Sequence, residues 1–265
     1  MNIVKRELKA QRNSLIIWCF AMVFLIYAGM IKYTGFAEAG AEAVELLNQF
    51  PPAFKAAFGW GELDITSIAG YYAVFYLYFM VLSGLHAIML GATIISKEER
   101  DKTADFLFAK PLWRSKIITA KLIAVFINIM VLNLVTLTAS LVFVGLYNKG
   151  NPIIGIILRL MISLFIIQLI FAALGTALAA AAKNFKKATS LAAAVLLTTF
   201  LISVAIDLYH KIDFLKYITP FKYFPAVEIL KTGTYAPLSI FLSLLLIGLA
   251  LIITYRLMEK RDLHM

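Results

Sequence analysis

Acidic residues are missing from every long apolar window of this 265-residue chain, and cysteine occurs once, as Cys19. The first absence removes the buried carboxylates on which ion-gradient coupling inside a membrane normally rests. The second excludes a disulfide framework and a thiolate metal site within one chain. Charge is scarce, at 15% of residues, and it is clustered rather than spread. No G-x-x-x-x-G-K-[ST] phosphate loop is present. Gly175 is followed by Thr176-Ala177-Leu178-Ala179-Ala180-Ala181-Ala182-Lys183, which has the wrong spacing and lies in an apolar run. Heptads, solenoid repeats and low-complexity tracts are absent, and no stretch is polar enough to fold as a soluble domain. No serine or carboxylate pair stands at a spacing that suggests hydrolysis, so the chain is expected not to be an enzyme.

What is abundant is hydrocarbon. The chain is 62% hydrophobic with a mean hydropathy of +0.87, well above soluble domains. Six windows carry no Asp, Glu, Lys or Arg over most of their length: 13–31, 65–96, 122–148, 160–182, 188–206 and 232–255. Each offers the ~20 residues that a helix needs to cross ~30 Å of hydrocarbon. Backbone groups find no water there, so helices are the economical reading. The ~10-residue alternation of a transmembrane barrel is missing. The expected fold is an all-α integral membrane domain covering residues 1–265, with spans near 14–31, 70–95, 118–146, 153–182, 188–207 and 237–256. The first window is too long for a secretory signal core, and Ala37-Glu38-Ala39 lies too far downstream of it, so an uncleaved span is expected.

The net charge of +10 invites nucleic acid, but topology explains it better. Six spans with both termini on one side put 17 basic and seven acidic residues on that side, against seven basic and eight acidic on the other. The positive-inside rule makes the basic side cytoplasmic, N- and C-termini included, in a plasma-membrane protein that touches lipid and no nucleic acid. On this topology His86 falls mid-span, His210 in an external loop and His264 in the cytoplasmic tail, so no shared metal site is expected. The N-terminal MNIVKRELKAQRN reads either as an interfacial helix or as the basic flank of the first span. Residues 32–64 form an external loop long enough to hold a small packed element.

Between the second and third windows lies KEERDKTADFLFAKPLWRSK. Thr103 is placed to cap a new short helix, and Asp105 suits the positive end of its dipole. Phe106, Leu107 and Phe108 form an apolar knob. Pro111 disfavours helix at the residue before it. Trp113, Arg114 and Lys116 suit the membrane rim. The knob is either a docking patch ringed by charge or a group that dips into headgroups. The stretch Glu98-Glu99, Lys102 to Leu107, Lys110 to Lys116 and Lys121 resembles the cytoplasmic loop of the type-2 ABC exporter permeases. That family's loop runs acidic, then Gly-Thr, an apolar helix, Pro-x-x-Arg and a later Lys. Lys102 departs from the family's usual Gly. The resemblance extends to a basic N-terminal helix, six spans and a long last external loop, and so covers nearly the whole chain.

The resemblance implies a coupling helix, Thr103 through Pro111, that inserts into a groove on an ATPase subunit, with Glu98, Glu99 and Arg114 as rim contacts. It implies a separate ATPase chain in two copies, which binds the ATP and magnesium, and a second permease copy or paralogue. No cofactor is expected in this chain. In the last external loop Tyr217, Phe221, Tyr223 and Phe224 surround Pro220 and Pro225. They read as an aromatic belt, or, as the resemblance implies, as short re-entrant helices that gate the exit. His86 reads as packing or as a point on a substrate path, and Arg159 as a snorkelling residue. Asn128, Asn133 and Gln168 suit interhelical hydrogen bonds, and the small residues at 172–182 and 192–194 suit close helix packing or a dimer seam. The function expected is ATP-driven export by alternating access, with spans one, two and five rearranging around a dimer-interface cavity and the aromatic outer loop opening. The alternatives are an ion-gradient-driven secondary transporter, a membrane-embedded lipid-modifying enzyme and an assembly scaffold.

Overall fold

The computed structural model describes residues 2–60, 63–100, 113–148, 150, 152–182 and 184–260. In chain order the α-helices are α1 (Asn2–Ala39), α2 (Ala41–Asn48), α3 (Pro52–Phe58), α4 (Ile68–Arg100), α5 (Arg114–Tyr147), α6 (Ile154–Ala181), α7 (Phe185–Leu208), α8 (Ala226–Thr232) and α9 (Pro237–Lys260). Two 3-10 segments, His210–Tyr217 and Pro220–Lys222, lie between α7 and α8. Among the described residues six helices, α1, α4, α5, α6, α7 and α9, are long and apolar enough to cross a membrane. Each of the six described prolines, at 51, 52, 152, 220, 225 and 237, stands between helices or in the first turn of one. Proline is tolerated there because the first N–H groups of a helix have no partner within it. Glycine stops the short helices: Gly59 after α3 and Gly233 after α8 take left-handed backbone, with φ of 72° and 67°.

The N-terminal basic stretch is not a separate element. It continues α1 as one helix of 38 residues, about 57 Å long, which outreaches the hydrocarbon. The helix ends fall on two faces. One, here the basic face, gathers the start of α1, the end of α4, the start of α5, the end of α6, the start of α7 and the end of α9. The other face carries α2, α3 and the segments between α7 and α9.

At the centre α4 and α6 meet backbone to backbone. A Cβ on Gly91 would stand 2.3 Å from the Ala172 carbonyl oxygen, and one on Gly175 would stand 2.2 Å from that of Ile88. Only glycine fits at both positions. Small residues let helices approach this closely, and dispersion and hydrogen bonds then substitute for the hydrophobic drive that lipid cannot supply. On the next seam Ala173 and Ala177 of α6 pack on Ala250 of α9, and the Thr176 and Thr254 hydroxyls lie 3.1 Å apart. The expected small-residue packing at 172–182 is therefore realised on two sides of α6. Burial separates centre from rim: 61% of the apolar window of α4 is buried, against 22% for α1 and α7 and 17% for α9. The outward faces of the rim helices, such as Ile17, Phe20 and Leu244, are left to lipid.

Buried hydroxyls and amides lace the helices together. Tyr72 donates to Ser140 at 2.7 Å, and the Tyr76 and Ser163 hydroxyls share a bond of 2.7 Å. Asn133 donates to Gln168 at 3.1 Å and to the Met161 carbonyl at 3.2 Å, joining α5 to α6 as expected. Asn128 differs, because its amide turns back to the Ala124 carbonyl of its own helix at 2.7 Å.

Gly91→Ala and Gly175→Ala should each destabilise the fold by about 1–3 kcal/mol, the usual cost of forcing a methyl into a filled core. Gly248, in α9, has open space where a Cβ would go. Gly248→Ala should leave stability unchanged or raise it slightly. Thermal unfolding of the detergent-solubilised chain, followed by size-exclusion chromatography, checks the contrast.

Candidate functional site

On the basic face, five charged side chains from three helices form one cluster. α1 supplies Arg6 and Glu7, α4 supplies Lys97 and Glu98, and α5 supplies Lys121. The Lys121 ammonium donates to the Glu98 carboxylate and to the Ile94 carbonyl, one helical turn before Glu98. Arg6 donates to Glu7 at 2.9 Å and to Glu98 at 3.2 Å, and Lys97 donates to Glu7 at 3.2 Å. Glu7 is fully buried, Lys121 is 3% exposed and Glu98 is 5% exposed. A buried carboxylate persists as an ion only when paired and hydrogen-bonded, and here each carboxylate has two cationic partners. Three cations face two anions, so the cluster carries one net positive charge.

Its position gives the cluster its interest. Glu98 lies two residues before the end of α4, and Lys121 lies seven residues into α5. The pair therefore fastens together the two helices that bracket residues 101–113, while Arg6 and Glu7 tie α1 to the same point. Beside it, the Arg114 guanidinium donates to the Glu259 carbonyl at 3.1 Å, linking the start of α5 to the end of α9.

Above the cluster a cavity of ≈ 430 Å³ opens between α1, α4 and α7. Trp18, Leu85, Met89 and Leu90 give it an apolar wall, and Gln11, Ser14, Thr93 and His86 add polar groups. Lys97 lines it at the cluster end. His86 is 3% exposed, meets Trp18 edge-on at 5.4 Å between ring centroids, and leaves Nδ1 without a hydrogen-bond partner among the described residues. A second cavity, ≈ 360 Å³ between α5, α6 and α9, is lined almost wholly by hydrocarbon.

Toward the opposite face lies an aromatic plug. After α7 the chain doubles back, and the Thr219 hydroxyl donates to the Thr199 carbonyl of α7 at 2.8 Å. Phe221 then packs between Phe171 of α6 and Phe200 of α7, at 5.3 and 5.6 Å between ring centroids. Phe171 stands about 25 Å along α6 from its opposite-face end, so the plug sits deep in the bundle. Gly84, two residues from His86, faces the Phe171 ring and Leu196.

Of the residues expected in the gate, Pro220, Phe221, Tyr223 and Phe224 are buried, Pro225 is half-buried and Tyr217 is exposed. The Tyr223 hydroxyl donates to the Tyr217 carbonyl at 2.7 Å, and the Lys222 ammonium pairs with Asp207. Burial makes the Tyr223 phenol harder to ionise and pushes its pKa up. Arg159 is exposed, with its guanidinium against Gly233 and its carbonyl bound by the Tyr235 hydroxyl at 2.6 Å. Of the residues expected to couple to an ATPase, Thr103, Asp105, Phe106, Leu107, Phe108 and Pro111 lie outside the described residues, as does the Glu99 side chain. Glu98 is described, and its carboxylate points inward to Lys121 and Arg6. Sequence reasoning missed Glu7, Trp18 and Lys97. Glu7 carried a signal, as the one acidic residue among the first 37.

The chain matches the family model described as ABC-2 family transporter protein over residues 1–263. Among curated proteins no match is found.

The charge balance of the cluster ranks its variants. Glu98→Gln strips Lys121 and Arg6 of a partner and raises the buried net charge, and should cost about 3–5 kcal/mol. Lys97→Gln removes a mostly buried cation but leaves the cluster neutral and Glu7 still paired with Arg6, and should cost less, about 1–3 kcal/mol. Comparative thermal unfolding of the two variants checks the order, which equal losses would contradict.

Proposed function

The chain belongs to the ABC-2 transporter family, and we propose from that premise that it is the permease of an exporter driven by a separate ATPase chain. Membership makes it a multi-pass membrane protein with a transport role. The finer reading has the basic face in the cytoplasm of the plasma membrane, an ATPase dimer docked beneath it and a second permease copy or paralogue beside it. The observation that carries this reading is the buried Glu98–Lys121 pair. It sits at the root of the segment that the family resemblance identifies as the coupling helix.

The mechanism follows from which contacts are rigid. α4 and α6 cannot slide without separating at Gly91 and Gly175, so they act as a fixed post. α1 packs far more on α5 than on α4, so α1 and α5 form a second body. The ionic cluster is the link between these bodies, on the side where the ATPase would push. ATP closes the ATPase dimer, Thr103 through Pro111 moves with it, and the cluster passes the displacement from the ends of α4 and α5 to α1. The cavity between α1, α4 and α7 then closes toward the cytoplasm, and the plug around Phe221 withdraws on the far side. Binding of ATP must favour the outward state for this to work, since a ligand shifts an equilibrium only by its differential affinity. Glu98 acts here through Lys121 inside the protein, and Arg114 braces α5 against α9. ATP and magnesium belong to the partner, and this chain supplies binding, gating and force transfer without catalysis.

Two measurements test the proposal. Phe106→Asp combined with Leu107→Asp should abolish copurification with the partner ATPase while the spans remain folded by size-exclusion chromatography. Undiminished copurification sinks the coupling reading. Phe221→Ala should raise leakage of small solutes through the reconstituted, nucleotide-free complex, and a tight complex would remove the plug from the gate.

A further inference from the structure

The cavity between α1, α4 and α7 has a chemistry of its own, and its reading as the substrate path rests on the function proposed above. We infer that its ligand is an anionic amphiphile, a molecule with an apolar body and a carboxylate, sulfate or phosphate head.

Charge comes first. Among the described residues, Lys97 is the one charged side chain that lines the cavity. Among the described residues, the carboxylates beside it are consumed: Glu7 is held by Arg6 and Lys97, and Glu98 by Arg6 and Lys121. The other four groups of the cluster balance, so the net positive charge is that of Lys97 itself, and a cation entering the mouth meets repulsion with no unpaired carboxylate among the described residues to receive it. An anion meets the opposite. Lys97 has three N–H donors and spends one on Glu7, which leaves donors for an incoming oxygen. A charge-assisted bond of this kind is about twice as strong as a neutral one.

The rest of the wall suits a hydrocarbon body. Trp18, Leu85, Met89 and Leu90 run from the mouth toward His86, a distance of about 16 Å along α4. Trp18 offers a flat apolar face and Met89 an adaptable thioether. At the deep end His86 is buried with an unpartnered ring nitrogen, and unpaired buried polar atoms are rare enough to need a reason. A polar group partway along the ligand, or at its tail, would complete that nitrogen. An alkyl chain of about a dozen carbons spans the distance between Lys97 and His86. Such a ligand arrives either from the inner leaflet as an anionic lipid or from water as a soluble amphiphile.

Trp18 is a built-in reporter. The chain has three tryptophans, so Trp60→Phe with Trp113→Phe leaves Trp18 alone. The full chain carrying both changes, in phosphatidylcholine nanodiscs, is titrated with dodecyl phosphate and with dodecyltrimethylammonium while Trp18 emission is followed. Dodecyl phosphate should saturate the signal, with the ammonium probe about tenfold weaker or more, the ratio expected when a charge-assisted bond is lost. Lys97→Gln should weaken dodecyl phosphate by about tenfold and erase the preference. Lys116→Gln, outside the cavity, should do neither. Exchanging the lipid for phosphatidylglycerol separates the two sources: an emission already shifted, with the probe excluded, marks the lipid, and an unchanged titration marks a soluble amphiphile. Equal or tighter binding of the ammonium probe overturns the inference. So does a Trp18 signal that neither probe moves. Copurification with the ATPase, measured on the same preparation, reports separately on the function proposed above.

Discussion

Two glycines placed against carbonyls hold the centre of this permease. In water, helices associate because apolar faces leave solvent. In a bilayer that drive is gone, and what remains is the fit of surface on surface. Gly91 and Gly175 let α4 and α6 touch along their backbones, each placing a carbonyl where the other would carry a side chain. Alanines on the other side of α6 extend the fit to α9. A joint of this kind is stiff, because interiors at native density do not deform gradually. On the mechanism proposed above, α1 moves as a second body with α5, which is also bonded to the post through Tyr72–Ser140 and Asn133–Gln168.

Charges are buried where that second body meets the post. A buried ion pair is a poor source of stability, since desolvation offsets most of its attraction. Its value lies in directionality. Glu98 accepts from Lys121 and Arg6, and Glu7 from Arg6 and Lys97, so α1, α4 and α5 keep one register at the base of the segment 101–113. Apolar packing at the same place would hold the helices together yet tolerate sliding. The cluster also sets the electrostatic character of the cavity beside it, because its unbalanced cation points there. On the two readings proposed above, force transfer and ligand selection share Lys97.

On the function proposed above, the cavity and the plug are two closures of different physics. On the basic side the contact is ionic, built on the Glu98–Lys121 and Glu7–Lys97 pairs. On the other side it is aromatic: Phe221 lodges between Phe171 and Phe200, anchored by Thr219 on the Thr199 carbonyl. Non-helical backbone is tolerated at that depth because it is buried in protein rather than exposed to lipid. Pro220 and Pro225 limit how the segment can refold, while the bond from Tyr223 to the Tyr217 carbonyl pins its turn.

Much of this was legible from the amino-acid sequence. The spans follow from length and the absence of charge, properties that need no partner to be expressed. The turns follow from proline and glycine, and the loop motif from residues close together along the chain. Glu98 and Lys121 stood out as members of that motif, but not as partners of each other. Still less visible were Arg6 and Glu7, about ninety residues away in sequence from Glu98. Asn128 and Asn133 look alike on paper, yet one bonds within α5 and the other across to α6. The underlying reason is that a membrane helix is apolar on all sides. In a soluble helix, an apolar stripe names the buried face. Here lipid and core accept the same side chains, so composition determines that a helix crosses, and only tertiary packing decides which face meets a neighbour, a cavity or the bilayer.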